Sequence, residues 1–187
     1  MALCTLEEVY EVLGIDGSKE SDNEHVENLI TRMTARFENI CHRIFESASY
    51  DEDYDGDTRR ISLRNYPITE ITSITDTGSD WTETTTVSGA YYKISRSGRQ
   101  VIFNSSALLT EGDENITIVY TAGYAANAIP EDLKMACIEE VSRRFDRAKK
   151  LDVLSTDKGE QGTTYTSMDF LDNTKDVLSR YTRRAIV

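Results

Sequence analysis

Apolar positions along this chain change period twice, from helical to strand-like and back to helical. Thr5-Leu6-Glu7-Glu8 reads as a capping box, in which the Thr hydroxyl accepts the Glu8 amide and the Glu8 carboxylate reaches back to the Thr5 amide. The short helix that follows is expected to stop at Gly14, and 15–21 is a polar link. Val26, Leu29, Ile30, Met33, Phe37, Ile40, Cys41 and Ile44 then recur at three- and four-residue spacing. That stripe predicts a long amphipathic helix capped by Ser21 or Asp22. Tyr50 to Asp57 is acidic and predicts a turn.

From there the period shortens. Ile61 and Leu63 alternate with Arg60, Ser62 and Arg64, a strand pattern. Ile68, Ile71 and Ile74 are three apart, but Pro67 and the threonines between them favour an irregular or bulged strand. Tyr91, Tyr92 and Ile94 face Val101, Ile102 and Phe103 across Arg96-Ser97-Gly98-Arg99, which predicts a β-hairpin with Gly at its turn. Ile116, Ile118 and Tyr120 alternate again. The helical period returns after Ile129-Pro130-Glu131-Asp132, with Pro130 placed at the first helical position. Leu133, Ala136, Cys137, Val141, Phe145 and Ala148 make its inner stripe, the natural partner of the Val26–Ile44 stripe. A mobile polar loop is expected over 152–167, then an amphipathic helix over about 169–184 carrying Phe170, Leu171, Val177, Leu178 and Tyr181.

The expected class is therefore α+β: an antiparallel helical bundle with a β-rich insertion between the second and third main helices. The helical core comprises 1–50 and 125–187, and the β-rich insertion 57–122. No internal repeat at solenoid spacing is present.

Composition narrows the function classes. The chain has 187 residues, 33 acidic against 21 basic, and a formal net charge of -12. Gripping nucleic acid needs Lys and Arg against phosphate, so this balance opposes it. No apolar run is long enough to span a membrane, and no secretory signal is visible. Cys4, Cys41 and Cys137 lack CxxC spacing and read as buried thiols in a reducing compartment. The sequons at Asn104 and Asn115 then carry no weight.

Candidate chemistry is sparse. Asp51-Glu52-Asp53-Tyr54-Asp55-Gly56 matches the first half of a calcium loop, with Asp51, Asp53 and Asp55 as candidate ligands. The twelfth position, where a bidentate Glu belongs, is Ser62. An acidic turn is the competing reading. His25 and His42 are the only histidines, too few with the scattered cysteines to imply a zinc site. No nucleophile elbow, P-loop or dinucleotide fingerprint appears. No cofactor and no enzymatic activity are expected.

The order of local features carries more information than any one of them. Leu6-Glu7-Glu8-Val9 and Leu13-Gly14-Ile15 precede a long helix ending near Arg43. Tyr54-Asp55-Gly56 leads into Leu63-Arg64-Asn65-Tyr66-Pro67-Ile68 and Ile71-x-x-Ile74. Val119-Tyr120-Thr121-Ala122-Gly123-Tyr124 leads into Ile129-Pro130-x-Asp132-Leu133-Lys134-x-Ala136, and the chain closes with Leu178-Ser179-Arg180-Tyr181-Thr182-Arg183-Arg184. This string resembles the head–tail connector (head-completion or adaptor) proteins of tailed bacteriophages and related gene-transfer particles, and covers nearly the whole chain.

The resemblance implies a non-catalytic structural protein of the virion neck, assembled in the bacterial host cytoplasm. It implies a homo-oligomeric ring, usually of twelve copies, docked under the portal protein. Such a ring extends the channel through which genomic DNA passes, and receives a stopper or tail-completion protein. It further implies a C-terminal segment that engages the portal, here about Met168–Val187. Phe170, Leu171, Leu178 and Tyr181 would anchor that segment, while Arg180, Arg183 and Arg184 meet acidic partner groups. The alternative, that this helix packs on its own bundle, stays open. Rival readings are another neck or tail-completion protein, or a calcium- or glycan-binding β module on a helical stalk.

Overall fold

The computed structural model of the chain describes residues 2–15, 20–56, 58–82, 84–153 and 169–182. It is an α+β structure with four α-helices and seven strands among the described residues. It divides into two compact units, Met1–His42 with Ala128–Val187, and Arg43–Asn127.

In the first unit, α1 (Leu6–Leu13) begins at the expected capping box. The Glu8 amide donates to Thr5 Oγ1 at 3.3 Å, and Glu8 Oε2 accepts the Thr5 amide at 2.9 Å. It ends at Gly14, whose φ of 65° lies in the left-handed region that glycine enters without a Cβ penalty. Helix α2 (Glu20–Cys41) buries Val26, Ile30, Met33, Phe37 and Cys41 along one face. Two members of the expected stripe fall off it: Ile40 is 38% and Ile44 47% exposed. For Ile44 the physical reason is His42, whose φ of 52° turns the chain out of the helix before it. The helix also starts earlier than the cap predicted at Ser21 or Asp22.

Helix α3 (Glu131–Val153) buries Leu133, Ala136, Cys137, Val141 and Phe145. The Pro130 carbonyl accepts from the Lys134 amide at 3.0 Å, so proline caps the helix one position before the expected site. Residues 152 and 153, expected in a loop, belong to α3, and 154–168 lie outside the described residues. Helix α4 (Asp172–Tyr181) is shorter than expected at both ends. Helix α3 packs against α1, α2 and α4. Full burial of each large side chain in this core contributes about 1.5–3 kcal/mol.

The second unit holds β1 (Ala48–Tyr54), β2 (Arg60–Ser62), β3 (Ile68–Asp76), β4 (Thr85–Thr86), β5 (Tyr92–Ile94), β6 (Gln100–Phe103) and β7 (Ile116–Ala122). They form a four-stranded sheet, β1-β7-β3-β4, and a three-stranded sheet, β2-β6-β5, antiparallel throughout. Ile116, Ile118, Tyr120 and Ala122 of β7 are fully buried at every second position, as strand geometry requires.

Two register shifts in β3, at Ile68/Glu70 and Ile71/Ser73, explain the three-residue spacing of its isoleucines. Each bulge inserts one residue, which returns the next isoleucine toward the same face. The hairpin of β5 and β6 turns at Gly98, with φ of 66° and its amide donating to the Ser95 carbonyl at 2.8 Å. Tyr91 lies outside it, in a 3₁₀ turn over Gly89–Tyr91.

The acidic run is where the structure departs most from expectation. Tyr50 to Tyr54 is not a turn but most of β1, paired with β7 from Ala48↔Ala122 to Tyr54↔Ile116. The acidic residues hide the alternation that matters. Tyr50, Glu52 and Tyr54 are half-buried on one face, while Ser49, Asp51 and Asp53 are exposed on the other.

Candidate assembly surface

The C-terminal helix is held to the chain by a buried carboxylate. Glu140 lies on the apolar face of α3, three and four residues after Cys137 and Ala136, and is fully buried. Its Oε1 accepts the Leu171 amide at 2.7 Å and the Thr174 hydroxyl at 3.1 Å. Its Oε2 accepts from Arg143 at 2.8 Å and also from Arg144. Arg143 in turn donates to the Asp169 carbonyl at 2.6 Å. One side chain of α3 thus satisfies both its own charge and the start of α4. Sequence reasoning missed it. The signal was present as a glutamate on a buried stripe with arginines three and four residues on.

Burial alone would raise the Glu140 carboxyl. The bonds from Arg143, the Leu171 amide and Arg144 outweigh it and hold the group below its ordinary value. A carboxyl lowered on folding adds stability above its unfolded value, near 4.5, and loses it as pH falls through the folded value. The urea midpoint of the natural chain should therefore exceed that of Glu140→Gln most above pH 5. The gap should narrow as pH falls below 4.5 and through the lowered folded value; a gap independent of pH would contradict the assignment.

The expected portal-binding residues take two kinds of place. Phe170 is buried, its ring edge-on to Phe37 at 5.4 Å between centroids, with the Arg36 guanidinium over it at 4.3 Å. Leu178 is also buried, and its carbonyl accepts from Cys41 Sγ at 3.7 Å. These two, with Val177 and Thr174, pack into the chain's own helical core. Leu171 and Tyr181 are half-buried, and the Tyr181 hydroxyl donates to Asp132 Oδ1 at 2.5 Å. Arg180 is 67% exposed and lies 3.6 Å from Asp132, an ion pair of little energetic weight in solvent. Arg183 and Arg184 lie outside the described residues. The polar face of α4, with Asn173, Asp176, Ser179 and Arg180 exposed, is the surface this helix presents.

The candidate calcium ligands do not converge. Asp51 and Asp53 stand on an extended strand, Asp53 Oδ1 accepts the Thr117 hydroxyl at 2.7 Å, and Asp55 Oδ1 accepts the Glu114 amide at 2.9 Å. Among the described residues no group of three or more His, Cys, Asp or Glu is placed to hold a metal ion. Strand β1 is an edge strand of its sheet. Exposed carboxylates on an edge discourage pairing with other chains, a physical use for this acidic run. On its inner face Glu52 Oε2 accepts from the hydroxyls of Tyr120, at 2.8 Å, and Tyr54. Burial first, and the Glu52 bond second, push both phenols well above their ordinary range. The cluster joins β1 to β7, and its Tyr120 oxygen also accepts the Asn65 amide at 3.2 Å.

This geometry offers a docked helix and a guarded sheet edge. Residues 2–182 match the family model described as head completion protein. The chain belongs to the head completion protein family. Its role is accordingly structural, that of a head–tail connector in a phage-like virion. The fold is similar to that of solved chains of gene transfer agent (GTA) particles. A chain in the neck of a native GTA particle, computed with C12 symmetry, matches with a TM-score of 0.56 and 13% identity over 97% of this chain and 90% of that one. A chain in the neck of an empty GTA particle, computed with C6 symmetry, matches with a TM-score of 0.59 and 13% identity over the same shares. A chain of the virion of a native GTA particle matches with a TM-score of 0.60 and 15% identity, again over 97% and 90%. No curated protein matches the chain. Among the described residues no helix is long and apolar enough to cross a membrane.

Proposed function

We propose that copies of this head completion protein close into a twelve-membered ring at the particle neck. The ring docks on the portal protein, extends the DNA channel, and receives a stopper or tail-completion protein on its far side. The observation that carries this reading is the family match across residues 2–182. The fold likeness to a neck chain in a C12 particle supports it. A ring subunit presents two different surfaces that meet heterologously and close by rotation. The net charge of -12 suits a channel that DNA must slide through, since few cations are available to hold phosphate. The role needs no catalysis.

Portal contact is assigned to the C-terminal segment. With Phe170 and Leu178 inside the chain's own core, they position α4, and Arg180 with Arg183 and Arg184 meets acidic groups of the portal. Electron microscopy of the chain mixed with the portal of its own particle should show added ring density. The triple change Arg180→Glu, Arg183→Glu, Arg184→Glu should weaken portal binding by about tenfold or more with the circular dichroism spectrum unchanged. Equal binding by the variant would remove the portal contact from this segment. A folded natural chain that ignores the portal would favour another neck or tail-completion position.

A further inference from the structure

We propose that Cys4 and Cys137 are a modification site, an intrachain disulfide that forms when the chain meets a small-molecule disulfide and fastens the N-terminal segment to α3. The two sulfurs lie 3.8 Å apart across a sequence separation of 133 residues. Both are buried, Cys4 to 4% exposure and Cys137 to none. Neighbouring anchors hold them in register: Leu3 is fully buried and its amide donates to Thr34 Oγ1 at 3.2 Å, and α1 packs on α3. A disulfide needs a separation of about 2.05 Å, so the sulfurs must approach by roughly 1.8 Å. Cys4 precedes α1 in an irregular stretch, where side-chain rotation and a small backbone shift can supply that movement without unwinding a helix.

The chemistry balances with a named oxidant. Contact with Cys4, and burial after it, push the Cys137 thiol up, so Cys137 waits as a thiol. Local opening of 2–5 exposes Cys4, whose thiolate attacks one sulfur of R–S–S–R and releases the first thiolate. Cys137 then gives up its proton, attacks Cys4 Sγ and displaces the second. Two protein thiols lose two electrons in total, R–S–S–R becomes two R–SH, and the protein protons end on the released thiols. Cys41 takes no part; its sulfur faces the Leu178 carbonyl. A virion component is built in a reducing cell and works outside one. That setting rests on the function proposed above, whereas the bond itself does not.

The folded, reduced chain is incubated with oxidised glutathione at mildly alkaline pH, then unfolded and alkylated for mass spectrometry. The expected product is lighter by about 2 Da before alkylation, takes up one alkyl group, and yields a linked peptide pair containing Cys4 and Cys137. Its Tm should rise by about 5 °C or more over the reduced chain, because the link closes a very long loop. Cys4→Ser should lose both the linked pair and the oxidation-dependent rise, whatever its own starting Tm. Three alkylated thiols, a lasting glutathione adduct on Cys4, a link that includes Cys41, or a Tm rise that survives Cys4→Ser would each overturn the proposal. None of these outcomes depends on ring formation or portal binding.

Discussion

Replacing Glu140 by alanine is expected to cost about 3–5 kcal/mol, the range for breaking a buried, hydrogen-bonded ion pair. The change strands several groups at once. Arg143 and Arg144 lose the carboxylate between them, while the Leu171 amide and the Thr174 hydroxyl lose their acceptor at the start of α4. Water can reach the two arginines in part, at 25% and 14% side-chain exposure, which places the cost toward the lower end. Glu140→Gln keeps an acceptor for the Leu171 amide but turns an NH2 donor toward Arg143 and Arg144 in place of the second oxygen, so its cost should be about 1.5–3 kcal/mol. Urea unfolding measures both values. Hydrogen exchange locates them: amides of Asp172 to Tyr181 should lose protection in the alanine variant before those of α2. An alanine variant within 0.5 kcal/mol of the natural chain, about the noise of a surface change, would show that Glu140 does not dock α4.

The parts of this fold legible in the sequence are those set by neighbours a few residues apart. The Thr5–Glu8 box and Gly14 bound α1 because capping is local chemistry. The isoleucines of β3 were legible as a bulged strand because proline and threonine opposed the helix that their spacing suggested. Strand β1 was not legible. Asp51, Glu52 and Asp53 are poor strand formers, and they adopt the strand because β7 lies alongside, more than sixty residues away in sequence. The end of α2 was misplaced for a related reason: a positive φ at His42, a residue with no glycine-like freedom, cannot be read from hydrophobic spacing.

The same division applies to the C-terminal helix. Periodicity marks Phe170 and Leu178 as apolar positions but does not say whether their partner is the same chain or another. Phe37 and Cys41 answer that for the single chain, and both lie over 125 residues away along the sequence. What remains at the surface is polar. The exposed face of α4 is thus fixed by a carboxylate that sequence patterns assign to solvent by default, because most glutamates are there.

Gly123→Ala is expected to disrupt the β unit strongly, at about 3 kcal/mol or more. Gly123 directly follows Ala122, the last residue of β7, where the chain leaves the sheet. Its φ of 113° is a backbone conformation that L residues rarely adopt. An added Cβ would also lie 2.4 Å from the Glu46 carbonyl oxygen and 2.8 Å from the Ser47 nitrogen. Both contacts are backbone, so no side-chain rotation relieves them. The joint they belong to is tightly tied: the Gly123 amide donates to the Pro67 carbonyl at 3.0 Å, the Tyr124 amide to Phe45 at 2.7 Å, and the Ser47 amide to Tyr124 at 3.1 Å. Moving the chain apart to admit a methyl group would lengthen bonds on both sides of the residue. Backbone strain of about 1–3 kcal/mol and overpacking of about 1–3 kcal/mol act together here. Gly98→Ala is the internal comparison, since Gly98 also has a positive φ but its nearest obstacle is Pro67 Cβ at 3.2 Å. It should cost only about 1–2 kcal/mol, close to the left-handed penalty alone. Urea midpoints of the two variants decide the matter. Equal losses would mean that the Glu46–Ser47 backbone yields easily, and that this stretch owes its form to φ and not to the close approach of two backbones.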